Sequence, residues 1–102
     1  MTEPRLYHRA TYDDGVYVVD ESVTVAGYQL RPDTWDALTV WCSGVRVLDP
    51  DGNQAVAVNN SLAAHNVARL GDFVMQVGPS TFEVSRADGH YQRWAVAEPD
   101  PA

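Results

Sequence analysis

The sequence predicts an α+β domain: a small, curved, mostly antiparallel β-sheet, partly barrel-like, with one main helix, a short C-terminal helix and an N-terminal β-hairpin. Three observations carry that expectation. Short runs of β-forming residues recur from Leu6 to Val84, separated by turn chemistry such as Asp13-Asp14-Gly15 and Asp49-Pro50-Asp51-Gly52. One stretch, Pro32 to Gly44, combines a helix start, an apolar stripe at helical spacing and a glycine stop. With 102 residues, 45% of them apolar, the chain has the size and composition to close one core.

Leu6 to Tyr12 is the first expected strand and Val16 to Val19 its hairpin partner, because Asp-Gly between β-formers favours a two-residue turn. Asp20-Glu21 reads as another turn. Ser22 to Leu30 then forms a longer strand, with Val23, Val25 and Gly27 on one face. The main helix opens with Asp33 as N-cap and Asp36 three residues on as a capping-box acid. Trp35, Leu38 and Cys42 form its stripe with Trp41 alongside, and Gly44 ends it from the C′ position.

Val45 to Leu48 and Gln54 to Val58 pair around the Asp49-Pro50-Asp51-Gly52 turn. Leu62 to Arg69 is open between a helical turn and a strand. Gly71-Asp72 leads into a strand from Phe73 to Val77, and Gly78-Pro79-Ser80 turns it into Thr81 to Val84. Ser85 with Asp88 marks a second, weaker helix start, carrying Ala87, Tyr91 and Trp94 on one face. The expected layout is a single domain over 1–102: a hairpin extension over 1–21, a core over 22–97 and a frayed tail over 98–102.

A net charge of −7 disfavours binding to a nucleic-acid backbone, whose phosphates need clustered cations. All seven basic residues are Arg, and neither Lys nor Ile occurs, as in a GC-rich genome. The acids stand in pairs at Asp13–Asp14, Asp20–Glu21 and Asp49 with Asp51, read as solvated loops. No apolar run approaches the roughly 20 residues of a membrane helix. Met1 to Arg9 is too polar for a secretory signal, so residence in the cytoplasm is expected, with no membrane partner. Cys42, the lone cysteine, reads as a buried small hydrophobe.

Several of these segments resemble a family of small, uncharacterised domains encoded by phages and prophages. Val23 to Leu30 supplies its early strand. Trp35-x-x-Leu38-x-x-Trp41-Cys42-x-Gly44 is similar to its helix, Gly71-Asp72-Phe73-Val74 to its later strand, and Thr81 through Trp94 to its closing strand and short helix. Pro79-Ser80 stands where that family has Gly-Glu, His90 where an apolar aromatic is usual, and Met1 to Glu21 has no counterpart. The resemblance implies a phage origin and a fold, and no catalytic role; with the polar N-terminus it makes the host cytoplasm the expected setting.

No residue constellation points to an enzyme or a cofactor. His8, His65 and His90 lie far apart, with no metal-ligand spacing. Ser61 or Ser85 can be drawn against His65 or His90, but no nucleophile-elbow motif accompanies them. Asp72 reads as a loop cap behind a positive-φ Gly71, not as a catalytic acid. The aromatic residues offer contact candidates instead: Tyr7, Tyr12 and Tyr17 on the hairpin, with Trp35 and Trp41, at least one of which should stay partly exposed. The expected function is a protein-binding module engaging a host or phage protein, with a homodimer also in view. The alternative is a small-molecule or nucleotide-binding module whose pocket includes Gly71-Asp72.

Overall fold

The structure, a computed structural model, describes residues 4–97; the tail expected over 98–102 lies outside the described residues. β1 (Arg5–Asp13) and β2 (Val16–Gln29) pair around a two-residue turn. Asp14 and Gly15 both take positive φ, 51° and 80°, as a primed hairpin turn requires. β2 does not stop at Asp20-Glu21. The register jumps from His8↔Thr24 to Arg9↔Asp20, leaving Glu21, Ser22 and Val23 outside the strand ladder, with the His8 ring 3.0 Å from Val23 O. The expected turn is therefore a bulge in a continuous strand. Asp20 stabilises it by accepting the Ser22 N–H (3.0 Å) and hydroxyl (2.5 Å), and these bonds hold its carboxyl below the usual range.

α1 (Trp35–Trp41) follows. Its N-cap is Thr34, not Asp33, and no side chain caps the first turn. Thr34 is fully buried, and its hydroxyl turns back to Gln29 O (2.7 Å). Asp33 pairs with Arg31, and Asp36 reaches across to Arg46 at 2.6 Å, so neither acid caps the helix. Nor is Gly44 the C′ residue. Ser43 takes that role with φ 52°, and the end closes as a Schellman motif: Gly44 N–H donates to Thr39 O (2.9 Å) and Ser43 N–H to Val40 O (3.2 Å). Gly44 is required for closeness instead, because a Cβ there would lie 2.8 Å from Ala57 O and Val56 Cγ1. Gly44→Ala is expected to cost about 1–3 kcal/mol, read as a lower denaturant midpoint at unchanged slope.

β3 (Val45–Leu48), β4 (Gln54–Ala57) and β5 (Val67–Arg69) form a three-stranded antiparallel sheet. The stretch left open by sequence contains both options in series: a 3₁₀ turn at Ala64–Asn66 runs directly into β5. β6 (Phe73–Gly78), β7 (Thr81–Ser85), one helical turn α2 (His90–Arg93) and β8 (Trp94–Val96) complete the chain. The second helix is shorter than expected, because Gly89 stands at its N-cap with φ 81° and Trp94 leaves it as a strand residue opposite Arg9. The larger sheet has the order β7-β6-β2-β1-β8, and the two sheets do not close into a barrel.

That order makes β1 an inner strand, so the N-terminal hairpin is part of the sheet and not an addition to a core beginning at residue 22. Core lies on both faces of β6. Val74 joins Tyr28, Leu30, Leu38, Cys42, Val56, Val58 and Ala68 on one side, with Trp35 and Trp41 packed at its margin. Phe73 and Met75 join Tyr7 and Trp94 on the other. Successive strand residues point to opposite faces, so the continuous apolar run Phe73-Val74-Met75 is what a strand covered on both sides needs.

Candidate functional site

β2 carries a second continuous apolar run, Val16-Tyr17-Val18-Val19, and there the covering is missing. Val16 is 58% exposed, Val18 55%, Tyr17 42% and Val19 37%, with Tyr12 across the hairpin at 57%. Tyr12 stands directly opposite Tyr17, Thr11 opposite Val18 and Asp13 opposite Val16. This half of the hairpin is a two-stranded ribbon extending past the rest of the sheet. β6 pairs with β2 only at Ala26–Gln29, and β8 pairs with β1 only at Tyr7–Arg9.

The ribbon is held at its base. Tyr17 donates its hydroxyl to Tyr91 O (2.7 Å) and lies 3.4 Å from Trp94 O, which ties β2 to α2 and β8. Arg9 stacks over Trp94 with its guanidinium carbon 4.8 Å from the ring centroid. Acid pairs bracket the apolar run: Asp13–Asp14 at the tip and Asp20–Glu21 at the bulge, all exposed. Bulges and charges of this kind are common guards of open strand edges.

Of the five contact candidates, Tyr12 and Tyr17 lie on this ribbon. Tyr7 does not belong with them. It is 2% exposed, packed edge-on against Phe73 (6.2 Å) and His90 (5.2 Å), because β1 is interior to the sheet at that point. Trp35 and Trp41 are both half-buried, one on each flank of Leu38. The Trp35 indole N–H donates to Ala55 O (2.8 Å), and Trp41 packs edge-on to Tyr28 and Phe82. Each Trp therefore locks α1 onto the sheets, and neither adjoins the ribbon. Val16, Val18 and Val19 were not among the expected contacts. The available signal was the unbroken apolar run itself, which asks for cover on two faces.

The catalytic candidates resolve as follows. Ser85 and His90 do meet, with Oγ 2.7 Å from Nδ1, but both are buried. His90 is fully enclosed. It stacks on Phe73 at 3.6 Å between centroids, and its Nε2 has no hydrogen-bond partner. Burial, with Arg93 nearby, pushes its pKa down to about 4. Ser61 and His65 lie on the segment around the 3₁₀ turn, and the Ser61 hydroxyl accepts Ala63 N–H at 3.1 Å instead of meeting a histidine. Gly71 takes φ 95°, and Asp72 caps backbone as expected, accepting from Arg69 N–H and Ala87 N–H, both at 2.9 Å, and from Arg86 at 2.7 Å. Cys42 is buried, with its thiol pKa raised by desolvation. Among the described residues no three His, Cys, Asp or Glu side chains gather, and no helix is long and apolar enough to cross a membrane.

Asp72, without Gly71, borders an open groove of about 1140 Å³, with Val47, Leu48, Leu62 and Arg69 among its lining residues. Comparison with protein families, with curated proteins and with solved structures finds no match to this chain.

Proposed function

We propose that this protein is a non-enzymatic protein-binding module whose contact surface is the β1–β2 ribbon. The observation that carries the proposal is the exposure of Tyr12, Val16, Tyr17, Val18 and Val19 on one ribbon that the other described residues cover only at its base. Contiguous exposed apolar surface of this kind marks interaction sites in soluble proteins. The resemblance to phage-encoded domains makes a host or phage protein, met in the host cytoplasm, the partner class.

The test is quantitative capture from host lysate by the wild-type chain and by a Val16→Thr/Val18→Thr/Val19→Thr variant. Thr keeps the β-branched shape the strand needs, and exposed substitutions of this kind leave stability nearly unchanged. A partner retained by the wild type should be held at least about tenfold more weakly by the variant. Equal retention by two equally folded chains would overturn the proposal.

The groove beside Asp72 supports a second reading, a small-molecule or nucleotide-binding module. Its lining sets Leu48 and Leu62 beside both Arg69 and Asp88, which suits a small ligand with an apolar body and polar groups. A ligand that raises the melting temperature of the wild type but not of a Leu62→Asp/Arg69→Glu variant would favour it.

A further inference from the structure

We infer that the outer edge of β2 at Val16–Val19 takes an extended segment of another protein as an added strand, with β-branched residues in its middle and Arg or Lys at both ends. This rests on the ribbon being the contact surface and adds the mode of binding and the chemistry of the partner.

The edge is open because β6 reaches only Ala26 on that side of β2, while β1 occupies the other side. The bulge at Glu21–Val23 breaks regular backbone presentation further along, so Val16–Val19 is the regular stretch, about 13 Å long. An added strand satisfies such an edge through main-chain hydrogen bonds and gains specificity from alternate side chains. Here it would find apolar neighbours on both faces, since alternate residues of Val16–Val19 point opposite ways and all four are apolar.

Charge selects the occupant. Asp13–Asp14 and Asp20–Glu21 stand at the two ends of the run, and Arg9, opposite Asp20, is stacked over Trp94. A segment with a cation at each end is matched to that pattern. A second copy is not: antiparallel self-pairing of Val16–Val19 brings Asp20–Glu21 of one chain towards Asp13–Asp14 of the other, like charge on like charge.

The experiment titrates the isotopically labelled full chain with three capped hexapeptides, followed by backbone amide shifts. The first is Arg-Thr-Val-Thr-Val-Arg; the second has Glu at both ends; the third keeps the first sequence but is N-methylated at alternate residues. The first should perturb the amides of Val16–Val19 and bind at least about fivefold more tightly than either of the others. An Asp13→Asn/Asp14→Asn/Asp20→Asn/Glu21→Gln variant should lose the preference for Arg over Glu ends.

Equal binding of the Arg and Glu peptides overturns the charge selection, and equal binding of the N-methylated peptide overturns strand addition. Absence of shifts at Val16–Val19, or concentration-dependent dimerisation through this edge in sedimentation, overturns the inference as a whole. A partner captured in a valine-dependent way but not displaced by the Arg peptide overturns the edge mode while leaving the ribbon as contact surface. Failure of valine-dependent capture overturns both.

Discussion

Asp72→Ala is expected to remove about 3–5 kcal/mol of stability, a large share of what a domain of this size holds. The carboxylate side chain is 9% exposed and serves three donors. One is the Arg69 N–H of β5, one the Ala87 N–H beyond β7, and one the Arg86 guanidinium, which also reaches Val67 O (2.8 Å) and Ala64 O (2.5 Å). The same residue's backbone carbonyl accepts Leu30 N–H at 2.8 Å.

The ion pair alone is not the source of this effect. The Arg86 side chain is 42% exposed, so solvent screening holds that pair to about 1 kcal/mol. The larger part comes from two backbone N–H groups losing their acceptor, at roughly 1–3 kcal/mol each where they are not rehydrated. Asp72→Asn keeps one acceptor oxygen but sets its amide NH2 against a donor on the other side, so it should recover only part of the loss. The measurement is the denaturant midpoint of both variants. A loss below about 1 kcal/mol for Asp72→Ala would refute the view that this carboxylate joins the two sheets.

Acid should destabilise the protein through His90. Its folded pKa is about 4, below the ordinary 6.5, because burial opposes the charged ring and Arg93 repels it. The groups packed around it are Ser85, Tyr7, Phe73, Tyr91 and Arg93, none of which is a carboxylate. Between pH 6.5 and 4 the unfolded chain binds a proton that the folded chain does not, so stability rises with pH across that window. The contribution is complete above 6.5 and is lost as the pH falls to about 4, a total of roughly 3 kcal/mol.

His90→Phe preserves the stack on Phe73 and removes both the proton site and the unpartnered Nε2. Its midpoint should vary less between pH 6.5 and 4 than that of the wild type, which urea titrations at pH 4.5 and 7 would show. A variant with the same acid sensitivity would place the titrating group elsewhere.

Much of the fold was legible because it depends on neighbouring residues. Asp14-Gly15 predicts a primed turn from its own backbone preferences. Asp49-Pro50-Asp51-Gly52 does the same, and there Asp49 Oδ1 accepts both Asp51 N–H and Asn53 N–H at 2.9 Å. Helical spacing placed Leu38 and Cys42 in the core.

The errors share one cause: a tertiary or side-chain partner overrode the local backbone signal. Asp20-Glu21 has turn chemistry, but nine residues of β1 pair on both sides of it and keep the chain extended. Asp33 and Asp36 have capping chemistry, but Arg31 and Arg46 claim them. His90 has surface chemistry, but Phe73 and Ser85 enclose it.

The candidate surface shows the same division. Phe73-Val74-Met75 and Val16-Tyr17-Val18-Val19 are the same kind of sequence, strand-forming and apolar at consecutive positions, and each asks to be covered on two faces. That demand is intrinsic to the residues, since alternate side chains of a strand point opposite ways. Whether the chain itself meets it depends on where the other elements fall. The two core clusters meet it for β6, whereas β6 and β8 end before they reach the ribbon. Sequence alone determined which stretches avoid water. Only tertiary structure decided which of them found their cover within the chain, because burial is a property of pairs of surfaces and not of one strand.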